Sequence, residues 1–252
     1  MNINKKTATA LMQSAMVLSI AIIFVFFFLV CPLWNSVRKK QAIAAYRTAH
    51  ATLLQANKMY ALANDNAGIY DITLPVDKFA QKYYHPYLSV QKVCSGSQHG
   101  CWNKAQYKDL KNKNHFNKIS YSMILSDRTV IGFYKNPQGF LSAIIDINGP
   151  AGVNKLGRDV FVFYYYNNAL TPKVCEENFY KNKYIQSGLH LGGYDKCGLP
   201  HDSYNYVELH DKNMYDGCNK KTISDKNGIG TGAACGAVIS QSGWIMDKIY
   251  PW

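Results

Sequence analysis

At 252 residues, with 17 % charged and 48 % hydrophobic side chains and a formal net charge of +12, the chain is too apolar to be disordered, which takes low hydrophobicity together with high charge. Nineteen tyrosines, together with Asn, Gly and Ser, suit a β-rich, envelope-exposed surface better than a cytosolic enzyme. A basic balance admits nucleic acid, an anionic surface or an acidic partner. The lysines are scattered, and no zinc finger, recognition helix or RNP signature occurs, so no nucleic acid is expected as a partner.

The first element is apolar. No charged residue lies between Lys6 and Arg38, and from Ala15 to Trp34 only Ser19 is polar. As a helix this stretch reaches roughly 30 Å, the depth of a bilayer core. A removable signal has a shorter core and a small-x-small site. Here "AIAA" (42–45) follows Arg38, Lys39 and Lys40, and Val30 rather than a small residue precedes Cys31. The expectation is a retained anchor: residues 1–7 cytoplasmic, 8–34 transmembrane. Lys5 and Lys6 against Arg38, Lys39 and Lys40 leave the positive-inside count near a tie. The later cysteines place the large domain outside the cytoplasm.

Beyond the anchor, Ala42, Tyr46, Ala49, Leu53, Ala56, Tyr60 and Ala63 recur at alternating spacings of four and three. That is a heptad stripe with alanine on one row. It predicts an amphipathic continuation over 35–66, hence one helix from about residue 8 to 65. "NDNAG" (64–68) stops it, and Pro32 is expected to kink it. Two uses of the stripe are open. It covers the chain's own domain, or it is an assembly helix in which Pro32, Ala42, Tyr46, Ala49, Leu53, Ala56 and Tyr60 meet other subunits.

Residues 67–252 lose helical periodicity, apart from a short helix predicted in "VDKFAQKYYHPYL" (76–88). "KDLKNKNHFNK" (108–118) reads as a solvated basic loop. "YSMILSDRTVIGFY" (121–134) predicts two strands turning at Ser126-Asp127-Arg128. "GFLSAIIDI" (139–147) and "DVFVFYYY" (159–166) predict two more. "ACGAVISQSGWIMDKI" (234–249) reads as two apolar runs with a hairpin turn at Ser-Gly. Tandem strands after one long helix predict an α+β fold, with an antiparallel sheet laid on the helix.

Between two strands, "DINGPAGVNKLGRD" (146–159) offers side-chain oxygens from Asp146, Asn148, Asn154 and Asp159. They could bind calcium, or they could serve turns by bonding nearby amides. The EF-hand pattern is not met, and no other cofactor is expected. Cys94, Cys101, Cys175, Cys197, Cys218 and Cys235 form an even set outside the apolar run, which predicts disulfides. The "CSGSQHGC" loop pairs Cys94 with Cys101. The local choice then joins Cys175 to Cys197 and Cys218 to Cys235, among fifteen possible pairings. No catalytic residue is assigned. The one candidate cluster is "GLHLGGYDKCGLPHD" (188–202), with His190, His201 and Asp202, and its other reading is a glycine-rich surface loop. No G-x-S-x-G elbow and no H-E-x-x-H occurs, so the chain is not expected to be an enzyme, and no small-molecule substrate is identified.

In order, these pieces resemble bacterial type IV pilins and the pseudopilins of type II secretion. "LLQANKMYALANDNAG" (53–68) is similar to the end of the pilin helix, and "FAQKYYHPYLSVQKVC" (79–94) to the approach to its first cysteine loop. The segment from Asp146 to Phe161 resembles a "DINGPxGxNxLGRDVF" run found in pilin-like proteins, and "GWIMDKIYPW" (243–252) resembles their C-terminal end. The resemblance implies a pilin-like fold with disulfide-stapled loops and a single-pass protein of the bacterial inner membrane. Its large domain would be periplasmic, or extracellular once assembled. It also implies partners in other pilin-like subunits or in copies of itself, as a structural or minor subunit of a type IV pilus or secretion filament. The chain departs from the family at the N-terminus. Pilins are cut after a glycine and carry a glutamate five residues into the mature chain. Setting the family's proline on Pro32 puts the cut near Ala10-Leu11 and the glutamate position at Ala15. That departure leaves room for a second expectation, a non-assembling membrane-anchored binding protein of pilin fold.

Overall fold

The computed structural model describes residues 5–65, 70–95, 100–102, 107–115, 119–150, 152, 154–176 and 185–252, without the side chains of 5–14, 24 and 27–32. The chain forms two compact units, Met1–Gln41 and Ala42–Trp252. Helix α1, Lys5–Ala63, supplies the first unit and one element of the second. It is helical through Pro32, whose side chain lies outside the described residues, as do residues 66–68 of the expected helix stop.

In the second unit the polypeptide continues through α2 (Val76–Tyr83) and six strands. These are β1 (Val90–Ser95), β2 (Tyr121–Leu125), β3 (Val130–Lys135), β4 (Leu141–Asp146), β5 (Val160–Tyr166) and β6 (Gly188–Leu191). A 3-10 turn at His201–Ser203 and two short helices follow, α3 (Tyr206–His210) and α4 (Cys235–Gln241). The strands pair in chain order, every neighbour antiparallel, into one six-stranded sheet. The fold is therefore α+β.

Side-chain alternation along the strands explains why β4 and β5 are buried at every position. Phe161, Phe163 and Tyr165 point to one cluster, with Met123, Phe133 and Ile145. Val160, Val162, Tyr164 and Tyr166 point to another, with Trp102, Tyr107, Tyr194 and Ile229. Successive strand residues face opposite sides, so a continuous apolar strand needs cover on both. The helical stripe covers the first face, and Trp102, Tyr107, Ile119, Tyr194, Tyr215, Ile229 and Ala233, all outside the strands, cover the second.

The β2–β3 turn follows its sequence. Asp127 Oδ1 accepts from Thr129 N–H at 2.9 Å, and Arg128 takes a left-handed φ of 72°. Pro75 precedes α2, Asp77 lies in its first turn, and the helix ends before His85-Pro86, where a residue before proline is driven out of the helical region. One expectation is corrected here. Residues 234–249 do not form a hairpin; Cys235–Gln241 is helical. The Ser-Gly pair ends this helix: Gly243 has φ 73°, and Trp244 N–H reaches back to Ile239 O at 2.8 Å. Left-handed glycine is a common helix stop, and it shares its residue types with hairpin turns.

Three disulfides join Cys94 to Cys101, Cys175 to Cys197 and Cys218 to Cys235, closing separations of 7, 22 and 17 residues. Each removes chain entropy from the unfolded state, typically about 2–4 kcal/mol. Thiol titration of the unreduced, denatured protein is expected to miss all six of these cysteines and to find them after reductant. Six reactive thiols before reductant would overturn an oxidised compartment.

Candidate functional site

The residues proposed for assembly come first, because the structure places most of them. Ala42, Tyr46, Ala49, Leu53, Ala56 and Tyr60 are all buried against the domain's own sheet and α2. Tyr46 stacks on Phe161 with ring centroids 4.2 Å apart, and Tyr60 lies 4.5 Å from Tyr83. These six positions therefore lie against the chain's own domain. Tyr46, Leu53 and Tyr60 enter the domain core, with Ala42, Ala49 and Ala56 beside them in the same cluster. Ala63, the last member of the stripe, is exposed. Gly236 of α4 completes the fit: a Cβ there would collide with the Tyr46 hydroxyl.

The remainder of α1 differs. Met16, Val17, Leu18, Ile20, Ile22, Ile23, Val25 and Phe26 are exposed, as are Leu33, Trp34 and Val37. Among the described residues no helix is long and apolar enough to cross a membrane. The span expected over 8–34 runs through positions 8–14, 24 and 27–32, whose side chains lie outside the described residues.

The Asp146–Asp159 segment joins β4 to β5, and Asp146 pairs with Val160 across them. Asp146 is fully buried. Its Oδ1 accepts from Asn148 N–H at 3.1 Å, while its Oδ2 is buried without a hydrogen-bond partner. Burial pushes its carboxyl up to about 8, and the nearby Asp159 charge adds to the effect. Asp159 is engaged on both oxygens: Oδ1 takes the Lys155 N–H, and Oδ2 pairs with Arg158 at 2.7 Å. Burial still raises its pKa. Gly149, at φ 82°, lets the turn pass close to Arg128 O. As a calcium site the set fits poorly. Arg158 sits where a cation would need Asp159, leaving one carboxyl oxygen, on Asp146, open to it. Among the described residues no group of three or more His, Cys, Asp or Glu side chains is placed to hold a metal ion.

Three of the four ring nitrogens of His190 and His201 are hydrogen-bonded, and His201 Nδ1 is buried without a partner. His190 Nδ1 meets Asp202 Oδ1 at 2.9 Å, and its Nε2 meets Gln186 O at 2.8 Å. Burial works against the His190 charge, but the bond and charge of Asp202 outweigh it and raise the pKa. Asp202 Oδ2 accepts from Leu191 N–H. His201 is fully buried, with Nε2 on Tyr215 O at 2.9 Å, and burial lowers its pKa to about 4. The pair pins β6 to the 3-10 turn. Both ring nitrogens of His190 are engaged within the chain.

Sequence reasoning missed the groove beside α3. Asn205 caps that helix with a capping box to Glu208, a pattern readable in "NYVE". Comparison with protein-family models, with curated proteins and with solved structures finds no match to this chain.

Proposed function

We propose that the chain is a pilin-like, membrane-anchored envelope protein whose work is assembly or protein–protein contact rather than catalysis. The observation that carries this reading is the division of α1. One face of its 42–60 stretch, from Ala42 to Tyr60, is buried in the domain core, while Met16, Val17, Leu18, Ile20, Ile22, Ile23, Val25, Phe26, Leu33, Trp34 and Val37 stand exposed. Apolar surface costs about 25 cal/mol per Å² in water, and patches of this extent mark contact with lipid or protein. Lipid would remove that cost before assembly and neighbouring helices after it. Three disulfides support a periplasmic position for the outer unit. The partners are a membrane and other subunits, and the reading requires no cofactor.

The second reading, a non-assembling binding protein, is favoured by the burial of the alanine–tyrosine stripe and by the missing glycine and glutamate of the pilin leader. Mass spectrometry of the intact protein from its own membranes separates the two. A chain starting between Ala8 and Leu11 with a methylated amine is expected for a subunit; a start at Met1 is expected for the anchored binder. Release of the protein by an alkaline wash of those membranes would sink both.

A further inference from the structure

Lysines far apart in the sequence converge on one face of the outer unit. Lys108 bridges to Lys155 and to Asn114, and its N–H donates to Asn154 O at 2.8 Å. Lys111 Nζ donates to Thr222 O at 2.8 Å, which sets the exposed Lys220 and Lys221 beside it. Lys155 Nζ donates to Asn112 Oδ1 at 3.1 Å. Burial first, and then the charges of Lys220 and Arg158, lower the Lys155 pKa, against a smaller opposite effect of Asp109 and Asp159. The two nearest carboxylates face inward to other partners: Asp109 lies 3.6 Å from His115 Nε2, and Asp159 holds Arg158. The face is left positive, with the Lys111 and Lys155 ammonium groups held in place by acceptors of the same chain.

A groove of opposite sign adjoins it. It encloses about 480 Å³ beside α3, and Asp195, Glu208 and Asp211 line it against a single cation, Lys196. On a chain of net charge +12 this is a local inversion. Neither Glu208 nor Asp211 takes part in an ion pair among the described residues. The two faces meet where Ile223 N–H donates to Met214 O at 3.1 Å and Tyr215 bridges Ile223. Each carries an exposed apolar residue, Val207 in the groove wall at 76 % exposure and Ile223 at 50 %.

We infer that the outer unit pairs with a second copy of this chain, each copy setting its Lys108–Lys155–Lys221 face into the acidic groove of the other. Adjoining faces of opposite sign are self-complementary about a two-fold axis through their border, which makes a closed, isologous pair. The charges set encounter rate and register, and Val207 and Ile223 add apolar contact. The inference rests on the assembly reading above in taking a second copy as the partner, but it does not use the apolar helix.

The test is sedimentation of the full chain in mild detergent. A dimer is expected at about 50 mM salt, weakening by tenfold or more toward about 500 mM as the charges are screened. Lys220→Glu with Lys221→Glu, and separately Glu208→Gln with Asp211→Lys, are each expected to weaken self-association by tenfold or more. Glutamine keeps the capping box. Mixing the two variants is expected to restore the dimer, because each then meets a face of opposite sign. A monomer at low salt, variants that pair like the parent chain, or a mixture without rescue would each overturn the proposal. Association that survives both salt and charge reversal would belong to the apolar helix; it would sink this pairing and leave the membrane-anchored reading standing.

Discussion

Tyr46→Ala is expected to lower the stability of the outer unit by about 3–5 kcal/mol, the usual loss when a large buried aromatic is cut back to alanine. Tyr46 is fully buried, stacked on Phe161 and tilted against Phe163 and Trp244, with centroids 5.4 and 5.7 Å away. Truncation leaves a cavity between α1 and β5 that neither element can close, since Gly236 offers no side chain to fill it. At about 2–4 °C per kcal/mol for a unit of this size, the melting temperature should fall by about 10 °C. Tyr46→Phe is the control. The hydroxyl is buried without a hydrogen-bond partner, so removing it should hold or raise stability by about 1 kcal/mol. Tryptophan fluorescence during denaturant unfolding of the full chain reads both. A Tyr46→Ala chain that keeps its stability but loses self-association would return the stripe to an assembly role.

Asp146→Asn is expected to stabilise the protein above pH 8 by several kcal/mol and to leave it unchanged near pH 4. The carboxyl titrates near 3.8 when unfolded and about 8 when folded. Below about pH 4 both states hold the proton, and the buried neutral group carries no penalty. Between those values the unfolded chain releases the proton and the folded chain keeps it. Stability therefore falls as pH rises, by about 1.4 kcal/mol per pH unit, and levels off above the folded pKa. Asparagine, having no proton to lose, removes that slope. Asp159 and Asp216, both raised by burial, contribute slopes of the same sign that the variant retains. Melting curves from pH 4 to 9 read the difference. The same curves examine calcium: a bound cation would hold Asp146 ionised and abolish the slope. With the turn alone, chelator should leave the melt unchanged; a drop on chelation would assign a cation to this carboxyl.

Parts of this architecture were legible from particular residues. The four-three spacing from Ala42 to Tyr60 predicted one buried helix face, and the alternation in "DVFVFYYY" predicted a strand, because helix and strand periods differ enough to be told apart. Ser126-Asp127-Arg128 announced its turn through the Asp127 side chain. The helix over Cys235–Gln241 was not legible. Seven residues are too few for a period to emerge, and "SQSG" suits a helix stop as well as a hairpin. Strands β1 and β6 were missed for a related reason. Both are edge strands of four to six residues, and their partly exposed positions show little alternation.

The candidate sites divide along the same line. Residue type and local spacing by themselves determined the long apolar-then-amphipathic helix, the antiparallel hairpins and a cysteine set apt for local closure, because each depends on neighbours within a few turns of chain. Which molecule covers the alanine–tyrosine stripe was decided only by the tertiary structure: whether Tyr46 meets Phe161 or another subunit depends on a strand more than a hundred positions away. Likewise, Lys108, Lys155 and Lys221 look scattered in one dimension and become a single positive face once the segments that bear them are packed together. Long-range packing also sets the ionisation of Asp146, since its pKa follows from the water that the surrounding strands exclude.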